Sequence, residues 1–563
     1  MPVPGTSCHL KLRKFYEQLI TNSLIHELIV INKLAWPCVI SSVTGQMFPF
    51  VTLLFAGHIG TGVYFDGTGI ALSFANVTGT SIVIGFSSGM DTLCSQAYGG
   101  KNYRLVGVYF QRAIILSLLV CFPIWALWLN AESILILLHQ DVEVAAIAGK
   151  YLRILCVAKP AVMIYLLANK FMQTQNIVNP CLFLNSIATV VNISCQYLFV
   201  VHLGFGVEGS AISLSISYWS LAILYVMYIR CSSLYHTSWQ GWSSDALNDW
   251  LHYCKYGIPG LIMLCLEWWT YEIGFLVIGG TSAYPKVEIG IYSIMFNVSA
   301  QLFMVPLGFT IAATVRVGNL LGANKPYLAR KVAYLCLGII LVIGVLFSTG
   351  VFILKSRIPL LFTTDACIIA GATQTLFLTA IYVNFDGLRL LSGGILKGCG
   401  RQNIGSIANF VVYQFFAVPL AICLSVVLKL ATRGYWIGLA SAIFVQAALF
   451  FLLVVCTNWR KVADIAMINV GLSEPQLFNG NSLSSLECSE SSSLLPNEIK
   501  QKWRMPSKIS YQELIKICIC LLFLAFFAVG LGFSFKKSSS NFISYPNIVY
   551  NSTHNSTDVI CPY

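Results

Sequence analysis

Thirteen stretches of this chain stay apolar long enough for a helix to cross a bilayer, which takes about 17 to 25 residues. They lie roughly at 34–57, 69–90, 106–129, 145–169, 178–202, 207–229, 257–279, 289–315, 332–354, 367–396, 404–428, 434–456 and 514–535. Within lipid every backbone N–H and C=O must find its partner inside the segment, so runs of this length leave an all-α polytopic membrane protein as the fold. Composition agrees: 57% of the 563 residues are hydrophobic and 10% charged, far from the balance of a soluble domain.

Charge sets the orientation, because Lys and Arg collect on the cytoplasmic side of spans. The breaks around 58–68, 130–143 and 203–206 hold no basic residue, whereas the alternate breaks carry Lys101 and Arg104, then Arg230 and Lys255, then Arg316, Lys325, Arg330 and Lys331. The formal charge of +12 is thus a topology signal, with no nucleic-acid partner implied. The N-terminal segment lacks the short apolar core of a cleaved signal and is expected to be cytoplasmic. An odd number of spans then puts the C-terminus outside, where NSTHNST offers glycosylation acceptors at Asn551 and Asn555. The nineteen cysteines are scattered singly without metal spacing and read as small buried apolar residues.

The chain repeats itself. GFSSGMDTLCSQAYGGKNYRLVG from residue 85 aligns with GFTIAATVRVGNLLGANKPYLAR from residue 308, an offset of 223. QDVEVAAIAGKYL from Gln140 echoes TDACIIAGATQTL from Thr364. A six-span unit used twice keeps both copies in the same orientation, which is a two-lobed transporter plan. The expected units are a cytoplasmic N-terminus (1–33), an N-terminal lobe (34–230), an amphipathic cytoplasmic linker (231–256), a C-terminal lobe (257–457), a disordered linker (458–513), a thirteenth span (514–535) and an extracellular tail (536–563). Within the first linker the spacing of Trp239, Trp242, Leu247, Trp250 and Leu251 predicts an amphipathic helix lying on the membrane surface.

No phosphate loop, zinc-binding HExxH or nucleophile turn is present, so neither an enzyme nor an ATP-driven pump is expected, and no cofactor or metal is called for. An ion gradient must supply the drive. Ionisable groups within spans are costly and mark functional positions. Here they are Lys159, Glu267, Glu272, Asp386 and Arg389, with acids concentrated in the second lobe. A carboxyl held away from water takes up a proton readily, and a cationic ligand favours the deprotonated form. One pocket then holds either proton or cation, and mutual exclusion gives exchange. Glu267 and Glu272 stand about 140° apart around a helix and bracket a broad face, with Tyr271 in the row of Glu267. Trp268, Trp269 and Tyr271 add ring faces that attract organic cations. Arg389 lies one turn after Asp386, where an intrahelical ion pair is possible. Lys159 precedes a helix-bending Pro160, and snorkelling, pairing with an acid and gating of the first lobe all remain open for it.

These residues carry a resemblance to the multidrug and toxin extrusion (MATE) family, above all its vertebrate proton-coupled organic-cation exporters. It runs from about residue 30 to 460 and rests on AGHIG at 56, MDTLCSQAYG at 90, WQGWS at 239, LCLEWWTYE at 264, MVPLGFTIAATVRVGNLLGA at 304 and SGGILKGCGRQNIG at 392. It implies twelve core helices in two bundles, alternating access, and efflux of small organic cations against protons. Glu267, Glu272 and Asp386 would be the coupling acids, and Trp268, Tyr271, Gln46 and Asn297 would line the substrate path. Gln46 falls where many prokaryotic members carry an aspartate, Asn297 where a glutamate is expected, and Arg389 adds a positive charge. Lys159 and Arg389 are the charge partners to be placed.

The resemblance implies a monomer among membrane lipids, in a plasma membrane, with an apical one in view. The alternative from another class is a lipid-linked oligosaccharide flippase, which would require a wide basic cleft.

Overall fold

A computed structural model describes residues 6–57, 62–138 and 140–471. The thirteenth span, the sequons at Asn551 and Asn555 and most of the second linker lie outside the described residues.

Among the described residues twelve helices are long and apolar enough to cross a membrane. They are α1 (Leu24–Gly57), α2 (Val63–Gly99), α3 (Tyr103–Leu129), α4 (Val142–Thr174), α5 (Asn179–His202), α6 (Gly206–Cys231), α7 (Trp250–Thr281), α8 (Pro285–Gly322), α9 (Pro326–Leu354), α10 (Ala366–Gly398), α11 (Gln402–Val427) and α12 (Ala431–Val455). The protein is all-α and multi-pass, as the apolar runs require. Most helices run several residues past the apolar runs, because their polar last turns pack on protein: Asp91, Gln96 and Arg316 are all helical. Arg316, counted above with the basic loops, therefore belongs to α8.

Caps explain where several helices begin. Asp141 accepts from the backbone N–H of Glu143 and Val144 ahead of α4, and Asp365 does the same for Cys367 and Ile368 ahead of α10. These two aspartates are equivalent in the repeat, so the second sequence echo marks a shared helix start.

Two expectations are corrected. Residues 231–256 do not form one amphipathic helix. A wide turn at Tyr235–Trp239 and a tight turn at Ser244–Leu247 are separated by Gln240 and Gly241, at φ 46° and 85°, and Asp249 at φ 52° gives a second break before α7 starts at Trp250. Left-handed backbone at three positions cannot continue a helix. The segment after α12 is also ordered at first. Trp459–Asn469 is helical, opened by the Asn458 side chain accepting from Lys461 N–H, and its apolar face joins the second-lobe core through Trp459, Val462 and Ala463.

The repeat is visible as packing. Gly99 of α2 lies so close to the backbone of Asn319 in α8 that no Cβ fits, and Gly322 of α8 lies equally close to the backbone of Gln96 in α2. Both pairs of equivalents are separated by 223 positions, so each copy presses its glycine on the other's polar residue. Gly257 and Gly260 of α7 meet Phe86 and Ser88 of α2 in the same half. The lobes are thus sealed at the end that carries the basic loops.

Candidate functional site

Polar bonds latch that seal. Gln96 Nε2 donates to Gly398 O at 3.1 Å, Gln402 Nε2 to Ser88 O at 3.0 Å, and Thr92 Oγ1 to Lys397 O at 2.5 Å. Asn469, on the helix after α12, donates to Gln96 Oε1 at 2.8 Å, and its carbonyl accepts from Tyr109 OH. Glu27 of α1 and Arg316 of α8 form a two-pronged ion pair, 2.9 Å from Nε and 2.6 Å from Nη2, with Glu27 buried. Sequence reasoning missed Glu27 because it precedes the apolar run. Its signal was a lone acid four residues before Ile31 in an otherwise aliphatic stretch.

Deeper in the second lobe lies a charged cluster. Arg389 Nη1 is 2.6 Å from Glu267 Oε2, and its Nη2 and Nε reach Asp386 Oδ1 at 2.6 and 3.0 Å. All three side chains are buried. The link to Asp386 is the intrahelical pair allowed by the spacing. The link to Glu267 joins α10 to α7 and was not foreseen, since no pattern in one helix tells which face another helix offers it.

Aromatic residues share the helices of the cluster: Tyr271 lies one turn after Glu267 on α7, and Tyr382 one turn before Asp386 on α10. Tyr382 stacks on Trp436 with centroids 5.7 Å apart, and Tyr271 leans on Trp436 at 6.2 Å. Tyr413 OH and Trp436 Nε1 are buried without a hydrogen-bond partner among the described residues. Tyr382, Tyr413 and Trp436 escaped the sequence reading because each is one aromatic among many in an apolar helix.

Glu272 does not share a face with Glu267 but turns to the other lobe, where Ser73 Oγ of α2 donates to its Oε2 at 2.8 Å. One helix therefore offers a carboxylate to each lobe. Trp268 is half-buried, and Trp269 is exposed with its Nε1 donating to Val77 O. Gln46 and Asn297 are exposed on α1 and α8, and Asn297 Nδ2 donates to Ser293 O in its own helix. Neither is brought against the charged cluster.

Lys159 sits in the first lobe, 1% exposed, with Nζ 5.2 Å from the Trp128 ring centroid and no hydrogen-bond partner among the described residues. Gly79, in a widened turn of α2, leaves the space that its ammonium fills. Of the three possibilities left open for it, pairing with an acid does not occur here. A basic side chain of this lobe that does pair with a buried acid is Lys170, at 2.7 Å from Asp91.

Two repeated six-span units sealed at one end, with carboxylates and an arginine buried inside the second unit and a further carboxylate bonded across to the first, define a two-lobed membrane transporter. The chain belongs to the MatE family, whose model matches residues 37–198 and 259–423. It is 37% identical over 472 residues to Multidrug and toxin extrusion protein 1 of Homo sapiens, covering 84% of this chain and 80% of that one. It is 36% identical over 443 residues to Multidrug and toxin extrusion protein 2 of Mus musculus, covering 78% and 76%. Among solved structures it resembles the eukaryotic MATE transporter AtDTX14 with a TM-score of 0.77 and 31% identity, over 80% of this chain and 100% of that one. Members of this family are transporters, and the protein is not an enzyme.

Proposed function

We propose that this protein exports small organic cations in exchange for protons by alternating access. The carrying observation is the pair of α7 carboxylates: Glu267 buried and ion-paired within one lobe, Glu272 hydrogen-bonded to the other. Binding of a cation or a proton at the first site alters the charge facing Arg389, and the second site senses whether the lobes are together. The relatives are named for multidrug and toxin extrusion, which accords with buried carboxylates on helices that also carry Tyr271 and Tyr382, since ring faces accept varied organic cations. The reading includes a plasma-membrane location, a cytoplasmic N-terminus and a monomer. Trp268, Gln46 and Asn297 contribute to the substrate path only if the lobes move, since they lie away from the cluster here. A flippase for lipid-linked oligosaccharides would require basic residues to outnumber acids, whereas this cluster has two acids to one arginine.

The test is a vesicle assay. Protein-containing liposomes loaded with a radiolabelled quaternary ammonium should release it faster when the outside is made acidic and slower when the gradient is reversed. Release that ignores the direction of the gradient refutes proton exchange.

A further inference from the structure

Arg389 lies against Glu267, the carboxylate to which the export reading above assigns the transported cation. Its guanidinium bridges Glu267 of α7 and Asp386 of α10, 2.6 Å from each, and is 2% exposed. Tyr271 follows Glu267 by one turn on α7, and Tyr382, one turn before Asp386 on α10, stacks on Trp436. Opposite charge, exclusion of water and ring faces are the conditions under which a planar or alkylated organic cation binds. The protein supplies the charge and the exclusion of water, carries aromatic side chains one turn away on the same helices, and fills the place with one of its own side chains.

The two anchors of Arg389 are unequal. Asp386 is three residues away on the same helix and takes both Nε and Nη2, whereas Glu267 is reached by Nη1 alone across the gap between helices. The link to Glu267 can therefore be released without stranding the buried guanidinium, because Asp386 keeps it paired.

We propose that Arg389 is a tethered competitor: its guanidinium occupies the organic-cation position against Glu267, and a substrate binds by displacing it onto Asp386. This rests on the export reading and adds a specificity rule to it. A cation must interact with Glu267 and the surrounding rings better than a guanidinium does. Bulky aromatic or alkylated cations meet that condition through added ring contact. Small guanidinium compounds gain nothing over the tether and are poor ligands. A proton arriving at Glu267 has the same effect as a substrate, since it too frees Arg389 to rest on Asp386.

The experiment measures equilibrium binding of radiolabelled tetraethylammonium to the full chain in lipid nanodiscs, for the native protein, Arg389→Ala and Arg389→Lys, with millimolar guanidinium chloride as competitor. Arg389→Ala should bind the label at least about tenfold more tightly. Guanidinium should displace it from that variant and hardly at all from the native protein. Arg389→Lys should fall between, because an ammonium has no fork to span two carboxylates.

Equal or weaker binding by an Arg389→Ala protein that elutes and melts normally would overturn the tether, as would guanidinium competing equally with both proteins. If that variant does not fold, Arg389→Ala with Asp386→Asn removes one charge of each sign. The same gain is expected there, and its absence overturns the proposal. Native flux measured in parallel separates the two readings. Proton-coupled flux with no gain in the variants defeats the tether alone, while gradient-blind flux with guanidinium still competing in Arg389→Ala defeats proton coupling alone. Binding by none of the proteins defeats both.

Discussion

The Arg389 guanidinium and the Glu267 carboxylate, carried by α10 and α7, meet at 2.6 Å with 2% and 7% of their side chains exposed. A pair this deeply buried is costly to break from one side, because the remaining charge loses its partner in a low dielectric. The contact also means that the acid expected to bind protons and cations is occupied when neither is present.

Glu267→Gln should abolish proton-driven exchange while the protein still reaches the membrane. Asp386 remains beside Arg389, so the stability loss should lie at or below the about 3 to 5 kcal/mol seen when a buried pair is halved. Thermal unfolding in detergent and vesicle flux check the two parts separately. Native flux in this variant would remove Glu267 from the mechanism.

The Ser73 hydroxyl bonded to Glu272 ties α2 to α7. Ser73→Ala deletes one hydrogen bond, worth about 1 kcal/mol, and should slow exchange by about fivefold. Glu272→Gln should stop it altogether. Initial rates at saturating substrate distinguish the two, and equal effects would mean that the carboxylate acts only through the serine.

At the sealed end, Gly99→Ala and Gly322→Ala each place a methyl where the opposite backbone already lies. Each should hold the lobes apart and lower exchange more than about tenfold, the factor that accompanies a 1.4 kcal/mol shift between conformations. Spin labels at the exposed Tyr103 and Tyr327 should report a longer distance in both variants. An unchanged distance would show that the contact is not what closes this end.

Lys159 is buried beside Trp128 with no acid partner. Replacing an uncompensated buried charge with an apolar side chain of similar length is neutral or stabilising, so Lys159→Met should raise the melting temperature, by up to about 1 to 4 kcal/mol of added stability. Trp128→Ala should lower it by about 3 to 5 kcal/mol through the cavity it leaves. A destabilised Lys159→Met protein would reveal a structural partner for the ammonium.

Much of this architecture was legible because hydropathy and repetition are local properties. Each of the first twelve apolar runs corresponds to a spanning helix, and the aligned glycine segments end α2 and α8. The angular separation of Glu267 and Glu272 showed that they do not share one row, but not that they turn to different lobes. The identity of what they face was not legible. Ser73 and Arg389 are 199 and 122 positions from their partners, and nothing in either sequence neighbourhood encodes that distance in space. The surface linker was misread for a related reason: aromatic spacing at 239–251 suits a helix, but Gln240, Gly241 and Asp249 take left-handed backbone and divide it.

The reciprocal glycine contacts carry an implication about symmetry. Residue i on j and j on i is the signature of an isologous dimer interface. Gly99 with Asn319, and Gly322 with Gln96, obey that rule inside one polypeptide. Two free six-span subunits could be joined by the same four residues, so the single chain carries the contact geometry of an isologous dimer. Being one chain frees the halves to differ: one keeps a solitary ammonium at Lys159, the other gathers the Glu267, Asp386 and Arg389 cluster, a division of labour that identical subunits cannot adopt.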